Sequence, residues 1–369
     1  MSTAQTATDR PPILMTGGSG LIGNYLINRL ADEFRLVIFD LNPPAADHQN
    51  VTFIKADLTD DESTAAALEQ LQSDFGSQLT SILHLAAYYD FSGEPSPLYQ
   101  DLTVEGTRRL LRQLRKKQFH AEQFVFSSSL LVMRSKPDGQ VDETDETIGS
   151  WDYPASKLKA EQVIQEEAPP IPIVVHRVAA VYDEKCHSLP LSQQIARIYE
   201  KQLESYVFPG NESHGHSMIH LADLADCFAA TIEKRRELGP NELFLIAEPD
   251  VMTYGEFQDK LGELIHGKEW TTVRIPKFVA KTGAYAKNLM ASEDDPEFIK
   301  PWMVDHADDN YNVDTSHAEE KLGWTAKRRI RDTLPAIVDY LKNSPREFYE
   351  QHGLPLPERL EKEEAAGAK

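Results

Sequence analysis

Residues 14–23 read LMTGGSGLIG, an apolar strand running into Thr16-Gly17-Gly18-Ser19-Gly20-Leu21-Ile22-Gly23. Glycines recur at 17, 20 and 23 between the run Ile13-Leu14-Met15 and a helical pattern, LIGNYLINRL. In such a strand–turn–helix Gly17 permits the tight turn, Gly20 lets backbone approach a pyrophosphate, and Gly23 lets helix and strand pack closely. The diphosphate sits at the helix start, where the free N–H groups around Leu21 and Ile22 and the helix dipole favour negative charge. A glycine-rich turn can also serve conformation alone. The next strand decides between the two. RLVIFD ends in Asp40, about 20 residues on, where an acid accepts hydrogen bonds from an adenosine ribose. A carboxylate there repels a 2′-phosphate, and Leu41-Asn42 brings no arginine to neutralise one, so the expected cofactor is NAD rather than NADP.

The chain has 369 residues, 41% of them hydrophobic, enough for one large core with a smaller appended lobe. A formal net charge of −21 argues against nucleic acid and anionic membrane surfaces as partners. Two cysteines, Cys186 and Cys227, cannot build a disulfide framework, which fits a reducing compartment. The opening MSTAQTATDRPP lacks the apolar core of a signal peptide, and the apolar run IPIVVHRVAAVY is short and interrupted by His176 and Arg177. The expectation is a soluble cytoplasmic protein.

Through the first half, strand-like runs alternate with helical patterns. ILMTG, RLVIFD, VTFIKAD, SILHLA, QFVFSSS and IPIVVHRV read as strands, with helices near 21–32, 62–74, 98–117 and 153–167. This rhythm predicts an α/β chain with a Rossmann-type doubly wound parallel sheet, whose ligands gather beyond the carboxyl ends of the strands. After about residue 182 the rhythm breaks. LSQQIARIYEKQ, LADLADCFAATIEKR and TYGEFQDKLGELIHG look helical, the last opening on a Thr253–Glu256 capping box, and NELFLIAE looks like a strand. We therefore expect an NAD-binding domain over 10–182, an interleaved C-terminal substrate lobe over 183–353, and a flexible tail over 354–369.

Tyr153-Pro154-Ala155-Ser156-Lys157 sets a phenol and an ammonium at i and i+4, on one helix face. A proline in the first turn suits a helix start. A nearby lysine favours the phenolate, drawing a phenol of intrinsic pKa about 10 toward working pH as an acid or base. Upstream, the strand QFVF ends in Ser127-Ser128-Ser129, where a hydroxyl can hold a substrate oxygen while the tyrosine moves its proton.

Together TGGSGLIG, Asp40, HLAA (84–87), FVFSSS, YPASK and SMIHLADLADCF resemble the extended short-chain dehydrogenase/reductase family, also called the NAD-dependent epimerase/dehydratase family. The likeness covers nearly the whole chain, since FLIAEP and the late LGW (322–324) also fit. It implies Tyr153 as general acid/base, Lys157 as its partner and a contact to the nicotinamide ribose, and Ser129 as the substrate-oxygen ligand, with Ser128 as fallback. It also implies Asp57 and Leu58 beside the adenine, and Leu85, Ala86 and Ala87 along the cofactor. A homodimer is implied too, pairing the helices near 98–117 and 153–167 through Leu102, Leu110, Leu114, Leu158 and Ile164.

Three departures bear on the substrate. Nucleotide-sugar members often carry an asparagine where this chain has Ala179-Ala180, and an Arg-Asp pair gripping a diphosphate where it has His216-Ser217. The pattern NVxGT reads Thr103-Val104-Glu105-Gly106-Thr107. Because arginine suits phosphate so well, the sequence ranks a small hydroxy or keto compound first and a nucleotide sugar, epimerised or dehydrated, second. A non-catalytic NAD sensor usually loses the tyrosine or lysine, and both are kept. Expected pocket walls are Tyr88, Tyr89, Leu130, Tyr182 and His187, with Phe91 and Val132 as further apolar positions; for each, plain core packing is the competing reading. No metal is expected, since Cys186-His187 and His214-Gly215-His216 lack a ligand spacing.

Overall fold

A computed structural model describes residues 11–90, 93–168, 170–290, 299–357 and 359–360. Phe91 and the last part of the expected tail lie outside the described residues. Seven strands form one parallel sheet: β1 (Ile13–Thr16), β2 (Leu36–Asp40), β3 (Val51–Lys55), β4 (Ser81–His84), β5 (Phe124–Ser129), β6 (Ile173–Val178) and β7 (Asn241–Ile246). Their order is β3-β2-β1-β4-β5-β6-β7. The order reverses direction beside β1, so a crevice opens at its carboxyl end, where the glycine turn begins.

Alternation along the strands builds a core on each face. Ile13, Met15, Leu36, Ile38, Leu83 and Val125 point to one side, against α1 (Leu21–Leu30) and α6 (Leu221–Lys234). Leu14, Val37, Phe39, Ile82, Phe124 and Phe126 point to the other, against α2 (Asp61–Phe75), α3 (Glu105–Lys116) and α4 (Asp152–Glu167). Strands buried on both faces read as continuous apolar runs, which is why the sequence announced them clearly. Burying each such side chain is worth about 1.5–3 kcal/mol.

The C-terminal half has a core of its own. α5 (Leu189–Glu200), α7 (Tyr254–His266) and the helices Ile330–Asn343 and Pro345–Gln351 pack around Ile195, Leu261, Leu334, Ile337 and Phe348. The capping box forms as read: Thr253 accepts the Glu256 N–H at 3.2 Å while Glu256 accepts the Thr253 N–H at 3.0 Å. β7 leaves this half to pair with β6, and α6 packs on α1. Leu354, placed by the sequence in a flexible tail, is buried in the lobe core.

Two local readings are corrected. The helix expected from residue 98 opens as a wide π turn, Tyr99–Val104, before α3 takes over. The apolar residues assigned to a dimer contact do not form an outward patch. Leu110, Leu114 and Ile164 are fully buried against their own sheet, and Leu102 and Leu158 are half-buried. Outward, α3 and the end of α4 present Arg108, Arg112 and Arg115 around Glu167.

Candidate active site

At the end of β1 the turn is shaped as a backbone cradle. Gly17 has φ +70°, and a Cβ there would lie 2.6 Å from the Ala86 nitrogen. A Cβ at Gly23 would lie 2.3 Å from the Gly18 carbonyl, which sets how closely α1 meets the turn. Gly20 is the residue before α1 and offers no side-chain cap, leaving the first helical N–H groups to an incoming anion. Asn24 locks the turn from inside the helix, donating to the Ser19 and Gly20 carbonyls at 2.9 Å each and accepting from the Ala45 and Ala46 N–H groups. Asp40 stands beside this cradle, taking the Ser19 N–H at 3.0 Å and the Leu41 N–H at 2.7 Å. These residues fit a dinucleotide.

Asp57, with Leu58 following, closes the end of β3. Its carboxylate accepts both the N–H and the hydroxyl of Thr59, at 2.8 and 2.6 Å. Leu85, Ala86 and Ala87 follow β4 along the crevice. His84 anchors them. Its Nδ1 lies 2.6 Å from the Thr16 hydroxyl and its Nε2 lies 2.8 Å from the Thr107 hydroxyl. Thr107 gives its proton to the Thr103 carbonyl at 2.7 Å, so Nε2 of His84 is the donor and Nδ1 accepts from Thr16. Burial holds this ring neutral, pushing its pKa down to about 3. Thr103, standing where related patterns have asparagine, accepts the Tyr88 N–H at 3.0 Å and so fixes the loop after HLAA.

The serines that end β5 meet the start of α4. Ser129 lies beside Tyr153 and favours its phenolate, while its Oγ accepts the Leu131 N–H at 3.2 Å. Lys157 is buried and donates to the Ser127 carbonyl at 2.7 Å, with its Nζ 5.9 Å from the centre of the Tyr153 ring. Ser128 donates at 2.5 Å to Glu161, which leaves Ser129 as the serine hydroxyl free of α4 carboxylates beside Tyr153. Burial opposes the expected draw of Lys157 on the phenol. Burial pushes Tyr153 up to about 12, against the opposing pull of Ser129, and pushes Lys157 down to about 7, against the pull of Glu161. A phenol that keeps its proton is a donor, suited to a substrate carbonyl oxygen.

The expected pocket residues separate into two groups. Tyr89 is 56% exposed and sets its ring edge-on to Tyr153 at 5.0 Å, while Tyr88 packs edge-on to Tyr99 at 4.8 Å. Leu130 and Val132 are core residues directly behind Ser129. Tyr182 is fully buried in the lobe core with its hydroxyl 3.3 Å from Glu248. His187 is held 2.6 Å from Asp183, which also accepts the Tyr25 hydroxyl at 2.8 Å. Although burial opposes it, hydrogen bonds from His187 and Tyr25 bring Asp183 down to about 2.

His216 donates from Nδ1 to the Ser217 carbonyl at 2.8 Å, and burial lowers its pKa. Among the described residues the buried Ser217 hydroxyl has no hydrogen-bond partner. The sequence reading missed Trp151, two residues before Tyr153, which packs on Trp302 and His306 of the lobe at 5.1 and 5.4 Å. It also missed Glu161 and Arg177, whose signal was an arginine inside an apolar strand. No group of three or more His, Cys, Asp or Glu among the described residues is placed to hold a metal.

Comparison with known proteins agrees with this geometry. An uncharacterized protein of Sinorhizobium fredii is 27% identical over 224 residues, 59% of this chain and 52% of that protein. A decarboxylating sterol-4-alpha-carboxylate 3-dehydrogenase of Candida albicans is 31% identical over 153 residues, 38% of this chain and 39% of its own length. The match thus spans about half of one of these curated relatives and about two fifths of the other. Among solved structures, UDP-glucose-4-epimerase of Stenotrophomonas maltophila, with bound NAD and formylated UDP-arabinopyranose, superposes with a TM-score of 0.67 at 19% identity, covering 91% of this chain and 99% of that one. The description "NAD dependent epimerase/dehydratase family" matches residues 13–247. The strand–turn–helix cradle, the serine-ended strand and this match together place the chain in the NAD dependent epimerase/dehydratase family, whose Rossmann-type fold it has.

Proposed function

We propose that the protein moves a hydride between NAD and a secondary carbinol carbon, with Tyr153 exchanging the proton on the attached oxygen, and that this carbon belongs to a nucleotide-activated sugar undergoing epimerisation or dehydration. The observation that carries the chemistry is the joint placement of Ser129, Tyr153 and Lys157 at the crevice. The substrate reading reverses the order drawn from the sequence. It is supported by similar folds, aligned over nearly the whole chain, that are named for nucleotide-sugar chemistry.

In this reading the turn Gly17–Gly23 and the start of α1 hold the diphosphate of NAD, Asp40 the adenosine ribose, Asp57 and Leu58 the adenine, and Leu85 to Ala87 the wall. When bound, NAD supplies the hydride acceptor. Ser129 hydrogen-bonds the substrate oxygen. Tyr153 donates its proton to that oxygen in the reducing direction and, as phenolate, accepts it in the oxidising direction. Lys157 holds the nicotinamide ribose and supplies the positive charge that favours the phenolate.

A second reading, a small alcohol or ketone without a nucleotide, is favoured by one observation. A neutral, carbonyl-bound His216 and a buried Ser217 give a diphosphate no cation where arginine would serve best. A thermal-shift screen of the NAD-loaded protein decides between the two. Saturable stabilisation by UDP, GDP or dTDP, about 2.7 kcal/mol at a hundredfold excess over Kd, supports the nucleotide sugar. Stabilisation by hydroxy or keto compounds alone moves the assignment to the second reading.

Two further points belong to the proposal. The chain forms a homodimer through α3 and α4, joined by the outward-facing Arg112 and Arg115 around Glu167. It works in the cytoplasm, a placement supported by two buried, unpaired cysteines. No helix among the described residues is long and apolar enough to cross a membrane.

A further inference from the structure

Tyr153, Lys157 and Glu161 run up one face of α4 at four-residue intervals, and each meets a different serine of β5. Tyr153 lies beside Ser129, Lys157 gives a hydrogen bond to the Ser127 carbonyl, and Glu161 accepts one from Ser128 at 2.5 Å. The proposed mechanism gives Ser129, Tyr153 and Lys157 roles and leaves Glu161 without one. Glu161 is also paired with Arg177 by two hydrogen bonds, Nη2 to Oε2 at 2.7 Å and Nε to Oε1 at 3.2 Å. Arg177 lies opposite Ser128 in the β5–β6 register, and its Nη1 reaches the Met133 sulfur at 2.9 Å, in the segment just past Ser129. The two side chains are 8% and 13% exposed. Buried charges of this kind persist only when paired and hydrogen-bonded.

We propose that Glu161 is a positioning residue for the hydride-transfer site: it fixes β5 against α4 through Ser128, and by cancelling the charge of Arg177 it keeps Lys157 an ammonium beside Tyr153. The inference rests on the reading of Tyr153 and Lys157 as the catalytic pair. The groups facing Lys157 come from four elements. They are Tyr153 and Glu161 on α4, the Phe126 ring at 4.9 Å and the Ser127 carbonyl on β5, the neutral His84 on β4, and, one residue further off, Arg177 on β6, which meets this group through the Glu161 carboxylate it is bonded to. Tyr99 and Tyr89 face Tyr153 in turn. Of these groups Glu161 is the anion. Burial favours the free amine of Lys157, and the Glu161 carboxylate opposes it.

The test is a ¹³Cε-lysine NMR titration of the full chain without NAD, the Lys157 signal being assigned by its loss in Lys157→Met. In Glu161→Gln the Lys157 midpoint should fall by about one pH unit, because Arg177 is left uncompensated. In Glu161→Gln/Arg177→Met the midpoint should return toward the wild-type value, since both charges are gone. Glu161→Asp, which keeps the charge, should stay near wild type. If Glu161→Gln does not fold, the double variant and Glu161→Asp still carry the comparison. An unmoved midpoint in folded Glu161→Gln, an equal fall in the double variant, or a full fall in Glu161→Asp would overturn the proposal. Failure of the underlying catalytic reading shows elsewhere, as undiminished turnover in Tyr153→Phe.

Discussion

Asp40 gives one carboxylate oxygen to the Ser19 N–H and the other to the Leu41 N–H, and each oxygen keeps a lone pair free for a ribose hydroxyl. The same charge repels a 2′-phosphate. Calorimetry should therefore show NAD binding more tightly than NADP. Asp40→Ala should weaken NAD by roughly tenfold or more, the value of a charged hydrogen bond of about 1.5–3 kcal/mol, and narrow the gap between the cofactors. Tighter NADP binding by the wild type would contradict this. Asp40, Tyr153 and Lys157 were legible because each sits at a fixed offset from a local pattern. Glu161 was not. From the sequence a glutamate in AEQVIQEE reads as solvated helix surface, and its partners Ser128 and Arg177 come from two other elements. The visible clue was Arg177 itself, an expensive charge inside the apolar run IPIVVHRV.

At the scale of elements, strand and helix identities followed from apolar periodicity, and the observed elements match it closely through the first half. What periodicity could not give was the π turn Tyr99–Val104, because one extra residue per turn leaves Tyr99, Thr103 and Val104 inward much as an ordinary helix would. Nor could it say which leucines of α3 and α4 face the sheet. The glycine turn gives a sharp test of the β1–α1 junction. Gly17→Ala must hold an L-residue at φ +70° with its Cβ 2.6 Å from backbone. The left-handed conformation alone costs about 1–2 kcal/mol, and relieving the contact must displace Ala86 from the cofactor wall. Urea unfolding should show at least that loss, and calorimetry should show NAD binding strongly reduced. Unchanged stability together with unchanged NAD affinity would refute this account of the turn.

For the whole molecule, pH acts through buried histidines. Burial pushes His84 and His176 each down to about 3 from an ordinary 6.5, so the unfolded chain binds protons that the folded one refuses. Their contribution to stability is complete above about pH 6.5 and is lost as pH falls toward 3. Urea midpoints should accordingly decline between pH 7 and pH 4, and a flat profile would count against neutral buried rings. The proposed dimer lacks the apolar contact read from the sequence, since Leu110, Leu114 and Ile164 serve the monomer's core. A contact built on Arg112, Arg115 and Glu167 is screened by salt. Light scattering should give a dimer mass at micromolar concentration that falls toward the monomer as salt is raised, and a monomer under all conditions rejects pairing. Whether Tyr153 moves the proton while Ser129 and Lys157 hold the oxygen and the cofactor is decided by comparing wild type with Tyr153→Phe on the compound that best stabilises the NAD-loaded protein. NAD affinity by calorimetry should be unchanged and turnover lower by about 10²–10⁴-fold; near-wild-type turnover in the variant would rule out Tyr153 as the proton donor.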